Sequence, residues 1–94
     1  MNDVEHIVYY ESGDILSKFF ILDGKLNGEY ICYFRSGEIF SKSFYKDGKV
    51  HGEYIRYNKI GEISHKSYHI NGKSVTEFEW ISYTRNIKLE LIGL

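Results

Sequence analysis

Four side chains in this sequence are of the types that hold metals or attack carbonyls: Cys32, His51, His65 and His69. His65 and His69 are four apart, and on a β-strand that spacing puts both rings on one face. Cys32 and His51 fall near them once the internal repeat described below is taken into account. A zinc site needs three or four converging ligands, and the sequence offers no second ligand pair at metal spacing. The histidines read as surface or groove residues, and no metal is expected. Cys32 beside a histidine could serve as nucleophile and base. However, the equivalent positions in the neighbouring repeats are Arg56 and Trp80, so this place in the unit does not demand a thiol. The glycines do not form a phosphate loop, because none leads into a helix N-terminus in the required pattern. The chain is therefore expected to have no catalytic residues and no cofactor, and not to be an enzyme.

What positions these residues is a repeat. Laid over itself at a shift of 24, the sequence matches at Gly13, Gly37 and Gly61, at Ile15, Ile39 and Ile63, and at Lys18, Lys42 and Lys66. The match continues through Gly24, Gly48 and Gly72, Lys25, Lys49 and Lys73, Glu29, Glu53 and Glu77, and Tyr30, Tyr54 and Phe78. Gly28 and Gly52 align with Thr76. Backwards, Glu5, His6, Ile7 and Tyr9 fall on Glu29, Tyr30, Ile31 and Tyr33, so a partial unit opens the chain. A fixed period of this size marks a repeat architecture. The organisation is one domain over 1–94: a partial unit at 5–12, hairpin units at 13–36, 37–60 and 61–75, and a C-terminal cap at 76–92.

Each unit is punctuated twice, with apolar-rich runs of six to eight residues between, which is a hairpin meander. Asp23-Gly24, Asp47-Gly48 and Asn71-Gly72 suit a type I′ turn, whose two central residues both need positive φ. Glu11-Ser12-Gly13 and its copies at Arg35-Ser36-Gly37 and Lys59-Ile60-Gly61 suit a type I turn closed by a G1 bulge. Gly28 and Gly52, just after the tight turns, mark bulges or close approaches of neighbouring backbone. Nine Gly, nine Tyr and six Phe with no Pro fit this picture. The fold class is mainly β, a single elongated antiparallel meander of about three hairpin repeats. Counting outward from Asp23-Gly24 sets Lys18 opposite Glu29, and likewise Lys42 opposite Glu53 and Lys66 opposite Glu77. This predicts a ladder of opposite charges up one face, whereas a bulge at Gly28 would slip the register by one residue and put the pairs diagonal.

Tyr9-x-x-x-Gly13 followed by Asp23-Gly24-Lys25-x-x-Gly28-Glu29-Tyr30, and the same pattern one unit later, resembles the bacterial and viral variant of the MORN repeat. The resemblance covers roughly residues 9–74. It implies a single elongated sheet of successive hairpins and little chemistry, since such proteins are regarded as scaffolds, lipid-associated repeats or antitoxin-like proteins. Thr76 departs from the pattern where the third Gly-Glu-Tyr element needs glycine, so the third unit is incomplete.

After that departure two periods compete. Thr76 and Glu79 fit a capping box, and Trp80, Tyr83, Ile87 and Leu91 recur at helical spacing. Ile87, Leu89 and Leu91 also alternate with Lys88 and Glu90 as a strand would. The helix is the preferred reading: a cap that lays Trp80 and Ile87 on the last face of the array.

A net charge of −1 supplies no positive field for a phosphate backbone, so nucleic acid is not an expected partner. A lone cysteine cannot make an internal disulfide, and no apolar run is long enough to span a bilayer. A cytoplasmic location is expected, and a membrane partner is not. The lysine rows Lys18, Lys42, Lys66 and Lys25, Lys49, Lys73 could meet lipid headgroups, but alternation with Glu29 and Glu53 opposes it. The aromatic residues are the functional signal. Tyr9, Tyr33 and Tyr57 fall on one face, Tyr30 and Tyr54 on the other, and with Arg56 they form the candidate interaction surface. One short helix cannot cover both faces of a sheet, so aromatic area is expected to stay open for another protein or for a second copy as a homodimer.

Overall fold

The computed structural model describes residues 3–91 and 93. Its strands are β1 (Val4–Tyr9), β2 (Ile15–Leu22), β3 (Lys25–Leu26), β4 (Gly28–Tyr33), β5 (Ile39–Lys46), β6 (Lys49–Tyr57), β7 (Ile63–Ile70) and β8 (Lys73–Val75), followed by the helix α1 (Glu77–Leu91). All strands belong to one antiparallel sheet in the order β1-β2-β4-β5-β6-β7-β8, with β3 beside β2. It is an open meander, as the repeat implies.

Turn chemistry sets the meander. Asp23, Asp47 and Asn71 have φ of 51°, 51° and 49° and each precedes a glycine at positive φ, which is the type I′ geometry. At the other end of the strands, the N–H of Gly13 donates to the carbonyl of Tyr10 at 3.0 Å and the N–H of Tyr10 donates to that of Asp14 at 2.8 Å. Together these make the type I turn with a G1 bulge. The tight turns are also tied to one another. The N–H of Gly48 donates to the carbonyl of Leu26, and that of Gly72 to the carbonyl of Val50, each at 2.8 Å.

The predicted charge ladder does not form. Leu22 pairs with Lys25, but beyond Asn27-Gly28 the register has moved by two residues, and Lys18 lies opposite Ile31 rather than Glu29. Lys42 likewise lies opposite Ile55 rather than Glu53. The bulged strand carries two extra residues at each such glycine, Gly28 at φ 103° and Gly52 at φ 100°, which turns straight cross-strand pairs into diagonal ones. Among the described residues the one ion pair is Lys66 with Glu53 at 3.5 Å, across the β6–β7 junction. Glu77 instead accepts a hydrogen bond from the Tyr68 hydroxyl at 3.4 Å.

The same requirement ends the array. Residue 76 takes the place of Gly28 and Gly52, where the bulge needs positive φ, and a β-branched threonine is poorly suited to that region. The chain leaves the sheet there and caps a helix. The Glu79 N–H donates to Thr76 Oγ1 at 3.1 Å, and the Thr76 N–H donates to Glu79 Oε1 at 3.0 Å. These bonds from the Thr76 main chain and side chain hold the Glu79 carboxyl below its ordinary value. Glu77 and Glu79 in the first turn and Lys88 in the last complement the helix dipole. Trp80 reaches the sheet as expected. Ile87 does not settle on it and stays 37% exposed, because the helix meets the sheet through its first turns, at Glu77, Trp80 and Tyr83.

The result is a single layer without an apolar core. Among the described residues no apolar side chain is buried; the buried side chains are Ser17, Ser41 and Ser43. The accessible surface is 6729 Å², against about 5,700 Å² for a compact chain of 11.1 kDa. The radius of gyration is 15.3 Å, against about 12 Å for a compact domain of this length. No described helix is long and apolar enough to cross a membrane.

Candidate interaction surfaces

Strand pairing resolves each face into rows that run across the sheet. One face, the groove face, carries Ile7, Lys18, Ile31, Lys42, Ile55 and Lys66 in a single line, each opposite the next. A parallel row alternates Tyr and Ile through Tyr9–Ile15, Tyr33–Ile39 and Tyr57–Ile63, and another alternates Glu with an aromatic through Glu5–Phe20, Glu29–Phe44 and Glu53–Tyr68. Every row arises from one pair of residues repeated at each unit, two strands or about 9.5 Å apart. The Lys18 ammonium sits 5.9 Å from the Tyr33 ring centroid and Lys66 sits 5.6 Å from that of Tyr68. The Tyr68 hydroxyl first, and the Glu53 carboxylate second, hold Lys66 protonated above its usual range.

The opposite face, the ladder face, stacks aromatic rings from strand to strand. His6 lies on Phe19 at 5.4 Å, Phe19 on Tyr30 at 5.1 Å, and Tyr30 against Tyr45 at 5.7 Å. Burial between Tyr30 and Tyr54 raises the Tyr45 phenol. Tyr54 continues the line towards His65 and His69, with ring centroids at 6.1 and 6.5 Å. Arg56 donates to the Tyr54 hydroxyl at 3.3 Å and covers the Phe40 ring at 5.7 Å. The buried serines Ser17, Ser41 and Ser43 lie on this same face, Ser17 and Ser41 opposite Cys32 and Ser43 opposite Tyr30.

The six candidate residues thus divide evenly. Tyr9, Tyr33 and Tyr57 stand on the groove face and Tyr30, Tyr54 and Arg56 on the ladder face, so they do not converge on one site. Tyr9 is the most open of the tyrosines, at 56%. The Tyr33 carbonyl is occupied by the Tyr10 hydroxyl at 2.7 Å. His65 and His69 share the ladder face with Cys32, whereas His51 belongs to the helix junction. Among the described residues no three His, Cys, Asp or Glu side chains come together.

One concavity was not anticipated from the sequence. A groove of about 540 Å³ runs along the groove face under Trp80, lined by Phe44, Ile55, Tyr57 and Gly52 with Lys42, Glu29 and Glu53. Trp80 overhangs it because the helix begins one residue after β8, packs against β7 and carries the indole onto Gly52 of β6. Its ring packs on the bulge glycine, and a Cβ on Gly52 would lie 3.7 Å from Trp80 Cη2. His51 props the ring from the side, with centroids 5.5 Å from Trp80 and 5.6 Å from Tyr83. Burial there, and secondarily Lys46, keep the imidazole pKa below its ordinary value. The signal that pointed to this place was Gly52, a glycine suited to close approach. What approached it was hidden, because Trp80, 28 positions later, aligns with the unlike strand residues Cys32 and Arg56 and sits on the helix, outside the sheet. Phe44, 50% exposed on the groove floor, looked like one more strand aromatic.

Comparison with known proteins finds no family model, no curated protein and no solved structure that matches this chain, so the resemblance to MORN-type repeats stands on its quoted residues.

Proposed function

We propose that the chain is a non-catalytic protein-interaction module that binds another protein through its groove face, in the manner of an inhibitor or antitoxin-like protein that occludes its target. The observation that carries this reading is the lack of any buried apolar side chain among the described residues. Aromatic and aliphatic rows that would form a core in a two-layer fold are here presented outward. On the groove face they surround a concavity lined by Trp80, Tyr57 and Phe44, the first two of the residue types that dominate binding hot spots. Lys42 between Glu29 and Glu53 gives a polar rim that can fix register. A partner would seat an apolar side chain under Trp80 and lay its backbone along the tyrosine row.

The test is affinity capture with the tagged chain in lysate of its source cell. Wild type is expected to retain a defined partner. Phe44→Glu and Tyr57→Glu are expected to lose it with the β-sheet circular dichroism spectrum unchanged. Retention by both variants, or no partner with wild type, would overturn the reading.

A further inference from the structure

The two outer strands of the sheet are complementary to each other. In the 24-residue repeat, full-length strands alternate between two kinds: β1, β4 and β6 carry Glu-x-Ile-x-Tyr (from Glu5, Glu29 and Glu53), and β2, β5 and β7 carry the lysines Lys18, Lys42 and Lys66. Each interior lysine strand is flanked on both sides by strands of the first kind, β2 by β1 and β4, and β5 by β4 and β6. The last one, β7, has β6 on one side and only the three-residue β8 on the other. Its first half is consequently bare: Ile63 to Lys66 are all exposed, whereas the equivalent Ile39 to Lys42 are half-buried or buried. At the other end β1 is exposed along its whole length, while its equivalent β4 is half-buried throughout. No strand lies beyond β1 among the described residues.

Chain positions make the complementarity closer. β8 ends at Val75, the equivalent of Asn27, and the chain then departs into the helix. The strand missing from that edge would begin at the equivalent of Gly28, and β1 begins at Val4, which is that equivalent. One molecule stops where another can start. The interior rungs Lys18↔Ile31 and Ser17↔Cys32 translate, two units further on, into Lys66 opposite Ile7 and His65 opposite Val8 of a second copy. By the alternation of an antiparallel ladder, Ile7 and Lys66 are the residues whose main-chain N–H and C=O point outward at these two edges. Glu5 of the second copy would lie diagonal to Lys66 as Glu29 does to Lys18.

We propose that the chain binds a second copy of itself head to tail by strand addition, β1 of one molecule completing the bare half of β7 of the next. Such a contact is heterologous, so each added molecule leaves one edge of each kind free. The assembly continues the meander rather than closing on a dimer. The edges used here are distinct from the groove face proposed for the other protein, and either reading can fail alone.

The test is light scattering coupled to size exclusion over a concentration series, with two edge variants. Proline is tolerated on an edge strand where its N–H would face solvent, so Ile7→Pro and Lys66→Pro each block one edge only. Wild type is expected to grow past the dimer with concentration. Each variant alone is expected to be a monomer, and their equimolar mixture is expected to stop at a dimer, because each supplies the edge the other lacks. A wild type that stays monomeric, or a Lys66→Pro variant that assembles like wild type through β1 on β1, would overturn the proposal. A cross-link keeps the test independent of the prolines. In a Cys32→Ser background, Val8→Cys mixed with His65→Cys is expected to form a disulfide-linked dimer on oxidation. Within one molecule these positions are five strands, or about 24 Å, apart. Absence of that cross-link at concentrations where wild type assembles would assign the assembly to another surface.

Discussion

The Nδ1 atom of His51 accepts a hydrogen bond from the main-chain N–H of Asn71 at 3.1 Å, which requires that nitrogen to be without a proton. The same ring supports Trp80 and Tyr83, so one imidazole joins a hairpin turn to the helix. Burial depresses its pKa in the folded chain, while the unfolded chain protonates at the ordinary 6.5. Its contribution to stability is full above that value and is lost as pH falls below it. Trp80 is the single tryptophan. Its emission is expected to stay constant above pH 6.5 and to shift to the red as pH falls below that value and the helix undocks, and His51→Asn is expected to flatten that profile.

Gly52 has φ of 100° with ordinary van der Waals room around a prospective Cβ. Gly52→Ala therefore tests backbone conformation without a clash. We expect a loss of about 1–2 kcal/mol in urea unfolding, the cost of a left-handed conformation for an L-residue. Gly37→Ala, in open space but also at positive φ, should cost a similar amount.

Lys66 and Glu53 are 39% and 44% exposed, so their ion pair is screened by solvent. A double-mutant cycle with Lys66→Met and Glu53→Gln is expected to return a coupling below about 1 kcal/mol. That coupling should shrink further when the salt concentration is raised from 0.05 to 0.5 M.

Removing the helix cap with Thr76→Ala is expected to destabilise the helix by about 1 kcal/mol. The helical signal near 222 nm should fall and the Trp80 emission should move to the red, with the strand signal retained. Equal loss of both signals would mean that the helix and the sheet fold as one unit.

The fold was legible because glycines repeat. Asp23-Gly24, Asp47-Gly48 and Asn71-Gly72 specify turns through a backbone conformation few other residues adopt, and the period then fixes which residues share a face. Thr76 and Glu79 gave the helix for the same reason, a local bond pattern readable over four residues. The register was not legible. A bulge was expected at Gly28, but whether it holds one or two extra residues depends on cross-strand hydrogen bonding that no local rule dictates. With two extra residues, the Lys18–Glu29 and Lys42–Glu53 pairs became diagonal. The groove escaped for a related reason. Trp80, Gly52 and Phe44 meet through a chain reversal after the repeat ends, so periodicity carries no information about them.

The hydrogen bonds from Gly48 to Leu26 and from Gly72 to Val50 stitch each hairpin tip to the one before it. With no core behind the sheet, neighbouring units are held by these stitches, the strand ladders and surface side-chain contacts such as Tyr10 to the Tyr33 carbonyl and Asn71 to His51. A load applied between the first strand and the helix acts across the strands, so it would open the ladder rung by rung instead of shearing all rungs at once. The molecule should behave under tension as a row of soft elements that yield one after another. Each 24-residue unit would release roughly 80 Å of chain before the next begins to part.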